Sequence, residues 1–302
     1  MKKSRTRRFA QKMKAAGSAG KPLANVASRS SSAVRGQFDP PPCVLTIAGS
    51  DSSAGAGVQA DARAIHALGA YAGTAITAIT AQNTRCVAAV EPVSPKILAE
   101  QIATVLDDLP IAAIKIGLVP SEAAVKAIAR VLKAPKHADL PLVIDPVLAS
   151  TSGKRFLSAA GLRRLKKELF PRAALVTPNW PEAEELSGMK IKSHADAEIA
   201  AKRIIESTGC AAVLIKGGHA GGRTLVDVLM KADGSASVRF EHARIDSSNT
   251  HGTGCVLSAA IAAHLARGWT LENAVGDAVE FLQRALKESA GMLWNGRGAC
   301  LV

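Results

Sequence analysis

The sequence predicts an α/β fold in which a largely parallel central sheet is covered by helices on both faces. Three observations predict it. Short, continuous apolar runs, such as residues 44–48 and 142–144, alternate with segments of helical spacing, which is how strands buried on both faces read. Polar residues recur where those runs stop, at Asp51, Asp145, Asn179 and Lys216, and parallel α/β sheets bind ligands outside the carboxyl ends of their strands. Aromatic residues are 3% of the chain against 48% apolar, so small aliphatic side chains must fill the core, as Ala-rich helices packed close on a sheet would.

In order, residues 1–42 read as a basic, mostly disordered leader. Ten Lys and Arg and no acid fall within residues 1–38, and Ser28-Arg29-Ser30-Ser31-Ser32 and Pro40-Pro41-Pro42 mark low complexity followed by a stop. The leader holds most of the net +13, leaving +3 for residues 39–302, a balance that argues against a nucleic-acid-binding body. Strand 44–48 breaks at the glycine- and serine-rich stretch 49–57, and a helix follows to about residue 68. Strand 75–80, helix 95–106, strand 113–117, helix 121–132 and strand 142–146 come next. Then follow strand 174–179 and strand 212–218, an antiparallel pair at 224–230 and 237–240, and helices over 252–267 and 271–289. No stretch has membrane-span character. Five scattered cysteines without a Cys-x-x-Cys pair read as reduced and cytoplasmic. The plan is one domain over residues 43–302 behind the leader.

The turn His251-Gly252-Thr253-Gly254-Cys255 precedes an apolar run that reads as a buried helix. Backbone N–H groups at such a helix start, with the positive end of the helix dipole, suit a phosphate or a developing oxyanion. Cys255 falls in the first turn, where the dipole favours a thiolate. The chain has no Gly-x-x-x-x-Gly-Lys-Ser/Thr and no Gly-x-Gly-x-x-Gly, so a phosphoryl-transfer site must be assembled from separate strand ends. Gly252, Thr253, Gly254 and Cys255 supply the anion hole, and Lys216 a cation for nucleotide phosphates. Asp145, with Asn179 and Glu182, could hold magnesium directly or through water. The plain alternative for Asn179 and Glu182 is a helix cap with a first-turn acid.

The stretch Leu45-Thr46-Ile47-Ala48-Gly49-Ser50-Asp51-Ser52-Ser53-Ala54-Gly55-Ala56-Gly57-Val58-Gln59-Ala60-Asp61 resembles the opening of hydroxymethylpyrimidine/phosphomethylpyrimidine kinases, members of the ribokinase-like superfamily. Thr77-Ala78-Ile79-Thr80-Ala81-Gln82-Asn83-Thr84, Lys115-Ile116-Gly117, Asp145-Pro146-Val147, Thr151-Ser152-Gly153, Thr177-Pro178-Asn179-Trp180-Pro181-Glu182, Lys216-Gly217-Gly218-His219 and the 251–255 turn continue it in order. The resemblance implies a ribokinase-like three-layer sandwich using ATP and Mg2+. It would phosphorylate 4-amino-5-hydroxymethyl-2-methylpyrimidine and then its monophosphate, in thiamine biosynthesis, as a homodimer.

The resemblance places the family's pyrimidine-binding glutamine on Gln82, puts Gly49 and Asp61 in the same pocket, and makes Val147 an apolar wall. Cys255 takes the position of the aspartate base of many ribokinase-like sugar kinases. Three departures stand out: Ala54 where glycine is usual, Leu118 where methionine is usual, and a C-terminus, residues 294–302, unlike the family's ending. The rival readings are a pyridoxal kinase of the same superfamily and a non-catalytic pyrimidine sensor, which would not need Lys216, Asp145, Glu182 and Cys255 together.

Overall fold

A computed structural model describes residues 40–149, 155–219, 221–292, 294–300 and 302. Residues 1–39 of the expected leader and the Thr151-Ser152-Gly153 motif lie outside the described residues. The strands are β1 (Cys43–Ser50), β2 (Tyr71–Gln82), β3 (Val87–Pro92), β4 (Ile111–Ile116), β5 (Leu142–Ile144), β6 (Leu175–Val176), β7 (Ala212–Ile215), β8 (Thr224–Lys231) and β9 (Val238–Ala243). The helices are α1 (Gly57–Ala67), α2 (Pro95–Asp108), α3 (Glu122–Leu132), α4 (Ala159–Glu168), α5 (Trp180–Ser187), α6 (His194–Thr208), α7 (Thr253–Ala266) and α8 (Leu271–Ser289).

Among the described residues the strands make one nine-stranded sheet, ordered β3-β2-β1-β4-β5-β6-β7-β8-β9. The strands from β2 to β7 in that order run parallel, and β3, β8 and β9 each pair antiparallel with the preceding neighbour. Side chains alternate across it. Leu45, Ile47, Ile114, Ile116, Leu142, Ile144, Val213 and Ile215 point into one core with α2 to α6. Val44, Val143, Leu175, Ala212 and Leu214 point into the other with α1, α7 and α8. Both faces of the central strands β1 and β4 to β7 are therefore buried, which is why those strands read as apolar runs, broken only by Thr46 in β1 and Lys115 in β4.

Local chemistry sets the helix ends. The side chains of Ser94, Ser121, Ser158, Ser193 and Thr270 each accept a first-turn N–H at a helix start. Gly188 and Gly209 end α5 and α6 in the left-handed conformation. Helix α7 is apolar all round and buried from Val256 to His264, so it is held by the core rather than by one stripe. Strand β1 lies between β2 and β4, so the chain leaves it in one direction and returns on its other side. That reversal opens a crevice at the strand ends.

Candidate active site

The loop after β1 is built around Asp51. Its Oδ1 accepts from the Ser53 N–H (2.8 Å) and hydroxyl (2.7 Å), and its Oδ2 from the Ala56 N–H (2.9 Å). Burial works against the charged carboxylate, but the hydrogen bonds from His251 and Ser53 prevail and hold its pKa below the usual value. Oδ2 also lies 2.8 Å from His251 Nε2 and 3.2 Å from Gln82 Nε2, and those two nitrogens are 2.9 Å apart. Gln82, at the end of β2, thus meets the residue that begins the 251–255 turn.

The loop and the turn fit each other through missing side chains. A Cβ on Gly57 (φ +60°) would fall 2.2 Å from Gly49 O, and one on Gly252 (φ +80°) 2.0 Å from Gly55 O. Ala54 takes the left-handed φ of 58° without being glycine, so the departure noted in the sequence sits on a strained residue.

Gly252 is the N-cap of α7 and offers no side-chain cap; the Thr253 N–H donates to Thr250 O (3.4 Å), which leaves the Gly254 and Cys255 amides to an external acceptor. Beside Gly254 stand the strand-end charges: a Cβ there would lie 3.2 Å from Lys216 Nζ and 3.3 Å from Asp145 Oδ2. Lys216 Nζ donates to Asp145 Oδ1 (2.7 Å), and the Thr177 hydroxyl donates to the same oxygen (3.1 Å). Burial opposes the Lys216 charge, yet Asp145 and Glu182 raise its pKa above the usual value. Asp145 Oδ2 thereby faces the helix start.

Asn179 and Glu182 form a reciprocal capping box: Asn179 Oδ1 accepts the Glu182 N–H (3.0 Å), and Glu182 Oε2 accepts the Asn179 N–H (2.9 Å). The plain alternative for this pair is therefore real structure. Glu182 is buried as well, and desolvation and the nearby Asp145 outweigh Lys216 to push its pKa up to about 7. Among the described residues no three His, Cys, Asp or Glu side chains are grouped to hold a metal. The donor set fits magnesium only in the form that ion takes with nucleotides, on one or two carboxylates with phosphate oxygens and water.

Cys255 is partly exposed, and its sulfur accepts a hydrogen bond from the Gly57 backbone. Desolvation pushes the thiol up to about 11, against the pull of Lys115. This corrects the expectation that the helix start favours a thiolate: loss of hydration outweighs the dipole. Asp61 also needs correction. It is fully buried, with both oxygens on Lys115 Nζ (2.9 and 2.8 Å) and one taking the Thr46 hydroxyl (2.5 Å), so it lines no open pocket. Gly49 packs against Leu118, whose Cδ2 would lie 3.5 Å from a Cβ at that position. Val147 is half-buried just beyond Asp145, to whose carbonyl its N–H donates (2.8 Å).

Sequence reading put Asp51 among the strand-end polar residues and His251 at the start of the turn without giving either a specific role, and it did not foresee the Lys115–Asp61 pair. A signal existed for the last. Lys115 interrupts the apolar run Ala113-Ile114-Lys115-Ile116, and a charge inside a buried strand requires a partner.

The sequence model of the phosphomethylpyrimidine kinase family matches residues 51–299. A hydroxymethylpyrimidine/phosphomethylpyrimidine kinase of Rhizobium meliloti is 45% identical over 256 residues, covering 84% of this chain and 94% of that protein. The chain spans about half, 51%, of the thiamine biosynthesis bifunctional protein of Geobacter sulfurreducens. The crystal structure of phosphomethylpyrimidine kinase from Clostridium difficile superposes with TM-score 0.70 at 40% identity, covering 81% of this chain and 99% of that one. The pyridoxal kinase of Staphylococcus aureus, solved with AMP-PCP and pyridoxal, superposes with TM-score 0.77 at 33% identity, covering 87% and 93%.

Proposed function

The chain belongs to the phosphomethylpyrimidine kinase family, and from that premise we propose that it transfers the γ-phosphoryl group of ATP to 4-amino-5-hydroxymethyl-2-methylpyrimidine and then to the resulting monophosphate, in thiamine biosynthesis. The observation that carries this reading is the meeting of three elements at one helix start. Gln82 touches His251, the 252–255 amides follow directly, and Lys216 and Asp145 close on Gly254.

In this reading Gln82 pairs with the donor and acceptor edge of the aminopyrimidine, with Gly49 and Val147 as walls. The Gly254 and Cys255 amides, at the turn that Gly252 and Thr253 form, receive the phosphoryl group in transit. Lys216 neutralises nucleotide phosphate charge as a fixed cation. Asp145, with Glu182 behind it, is the seat for magnesium, which supplies charge neutralisation between nucleotide phosphates. Asn179 sets the α5 cap and holds Glu182 at the nucleotide end of the cleft. Cys255 stands where the alcohol proton leaves, as a strong base that is ionised only as a minority species.

Buried side chains, rather than a flexible loop, hold Lys216 and Asp145, so the charges are fixed before substrate arrives. Homodimer assembly and a cytoplasmic location belong to the same reading. No helix among the described residues is long and apolar enough to cross a membrane.

The test is ATP consumption dependent on hydroxymethylpyrimidine, with mono- and diphosphate products separated and pyridoxal run in parallel. Both pyrimidine phosphates should form. No pyrimidine-dependent turnover, or a higher kcat/KM for pyridoxal, would overturn the assignment.

A further inference from the structure

The ladder between β7 and β8 stops just before Lys216. Its last pair is Ile215 with Val228, and the Lys216 N–H turns the other way, to Pro178 O (2.9 Å). The chain then enters a tight turn over Gly217–His219. Gly217 is pressed so closely onto β8 that a Cβ there would fall 2.1 Å from Val226 O. At this corner the ladder no longer supplies an acceptor, and a buried N–H without one is costly. The Asp227 side chain supplies it: the Gly217 N–H donates to Oδ1 at 2.6 Å.

Asp227 is buried in mid-strand between Val226 and Val228, where an acid needs partners. Its Oδ2 lies 3.3 Å from Nε2 of His242 on β9, and His242 Nδ1 lies 3.0 Å from Nε2 of Gln283 on α8. A carboxylate only accepts, so His242 Nε2 carries the proton and donates to Oδ2, while Nδ1 accepts from the Gln283 amide. The contacts form one chain from α8 through β9 and β8 to the residue that follows Lys216.

We infer that Asp227 is a positioning residue for the nucleotide end of the cleft, and that His242 acts through it. The inference rests on the assignment of Lys216 to the phosphates of ATP. A lysine stem is long, and the place its head reaches depends on where the main chain lets it leave the strand. Two main-chain bonds fix that place: Pro178 O holds the N–H of Lys216, and Asp227 holds the next one. Releasing the second lets the corner rotate and loosens the ammonium from its seat on Asp145 Oδ1 (2.7 Å), where the charge must stand before the nucleotide arrives. Gln82 ends β2 and the 251–255 turn begins α7, so the pyrimidine end is held by other elements.

The experiment compares wild type with Asp227→Ala, Asp227→Asn, His242→Phe and the double variant Asp227→Ala/His242→Phe. It reads KM for ATP, KM for hydroxymethylpyrimidine and, by calorimetry, Kd for ADP with Mg2+. Asp227→Ala should raise KM for ATP and Kd for ADP roughly tenfold and change KM for the pyrimidine less than about twofold. Asp227→Asn should recover both nucleotide constants to within about threefold of wild type. Its Oδ1 still accepts from Gly217, and its Nδ2 donates to His242 Nε2 once the ring proton moves to Nδ1 and the Gln283 amide turns over. His242→Phe should weaken nucleotide binding about threefold, and the double variant should be no weaker than Asp227→Ala alone.

Equal rises in both KM values for Asp227→Ala, or no rise, overturn the proposal. So does an Asp227→Asn as weak as Asp227→Ala, which would make charge rather than placement the cause, or additive losses in the double variant. Thermal melts establish which variants fold. Should Asp227→Ala fail to fold, His242→Phe decides alone: a rise confined to the nucleotide supports the proposal, and an equal or absent rise overturns it. A wild type that binds ADP but does not phosphorylate the pyrimidine would instead sink the functional assignment, and the ADP series would still test Asp227.

Discussion

Cys255 shows how burial can reverse what position suggests. A first-turn cysteine on a helix should ionise easily, but desolvation raises this thiol to about 11. The sign matters. A pKa raised above ambient pH leaves the neutral thiol dominant, so at pH 8 only about one molecule in a thousand carries the thiolate. If that thiolate takes the proton of the hydroxymethyl group, the first phosphorylation should quicken about tenfold per pH unit between pH 6 and pH 9. The second, onto a phosphate oxygen that is already ionised, should be nearly flat. Cys255→Ala should lower the first step about a hundredfold and the second less than about fivefold. Rapid-quench assays that resolve the two products measure both. Equal losses would assign Cys255 to shaping the turn. At this scale the residues around the turn were legible in sequence because they are contiguous. Asp61 was not. Its partner Lys115 is 54 positions away, and local spacing cannot distinguish a ligand-facing carboxylate from one sealed in an ion pair.

At the scale of elements, α5 carries two roles in one pair of side chains. The capping box needs an acceptor at position 182, and glutamine provides it as well as glutamate does. Glu182→Gln therefore separates the cap from the charge. The variant should unfold within about 2 °C of wild type, since the box persists. Its Mg2+ requirement should rise and its kcat/KM for ATP fall about tenfold if Glu182 backs the metal seat. Thermal melts and magnesium titrations of activity check it, and an unchanged magnesium requirement would leave Glu182 as a cap alone. Buried strands were legible because both faces are apolar. The sequence reading missed β3, α4 and α6 for identifiable reasons. Strand β3 is a half-exposed edge with no buried face to announce it. Helix α4 is dominated by Arg and Lys and buries only Gly161, Leu162 and Leu165. Helix α6 buries Ala197, Ala200, Ala201 and Ile204, a proper helical spacing, but alanines give it little contrast.

At the scale of the whole molecule, the sheet order brings distant strand ends to one crevice, and the C-terminus closes on the same place. The Arg297 N–H donates to Thr84 O (2.8 Å), two residues beyond Gln82. The His251 N–H donates to Gly298 O (3.1 Å), the Cys300 N–H to His251 O (3.4 Å), and Ala299 pairs with His251 as an isolated bridge. Cys300 is fully buried and Gly298 packs on Asn249. This C-terminal segment, most of which falls within the family match to residue 299, thus binds both the β2 end and the turn residue that contacts Gln82. Its backbone-mediated pairing explains why sequence could not place it, because main-chain hydrogen bonds leave little mark on residue type. Deleting residues 294–302 should therefore act asymmetrically. Losing the anchor of Thr84 and His251 frees the ring-binding side, while Lys216 and Asp145 remain held by Thr177 and the strand ends. KM for hydroxymethylpyrimidine should rise about tenfold, KM for ATP should change less than about twofold, and the melting midpoint should drop with the exposed apolar surface. Equal rises in both constants would mean that the segment supports the domain as a whole. No rise in either would mean that His251 is fixed by Asp51 alone, and that the C-terminal strap lies outside the economy of the cleft.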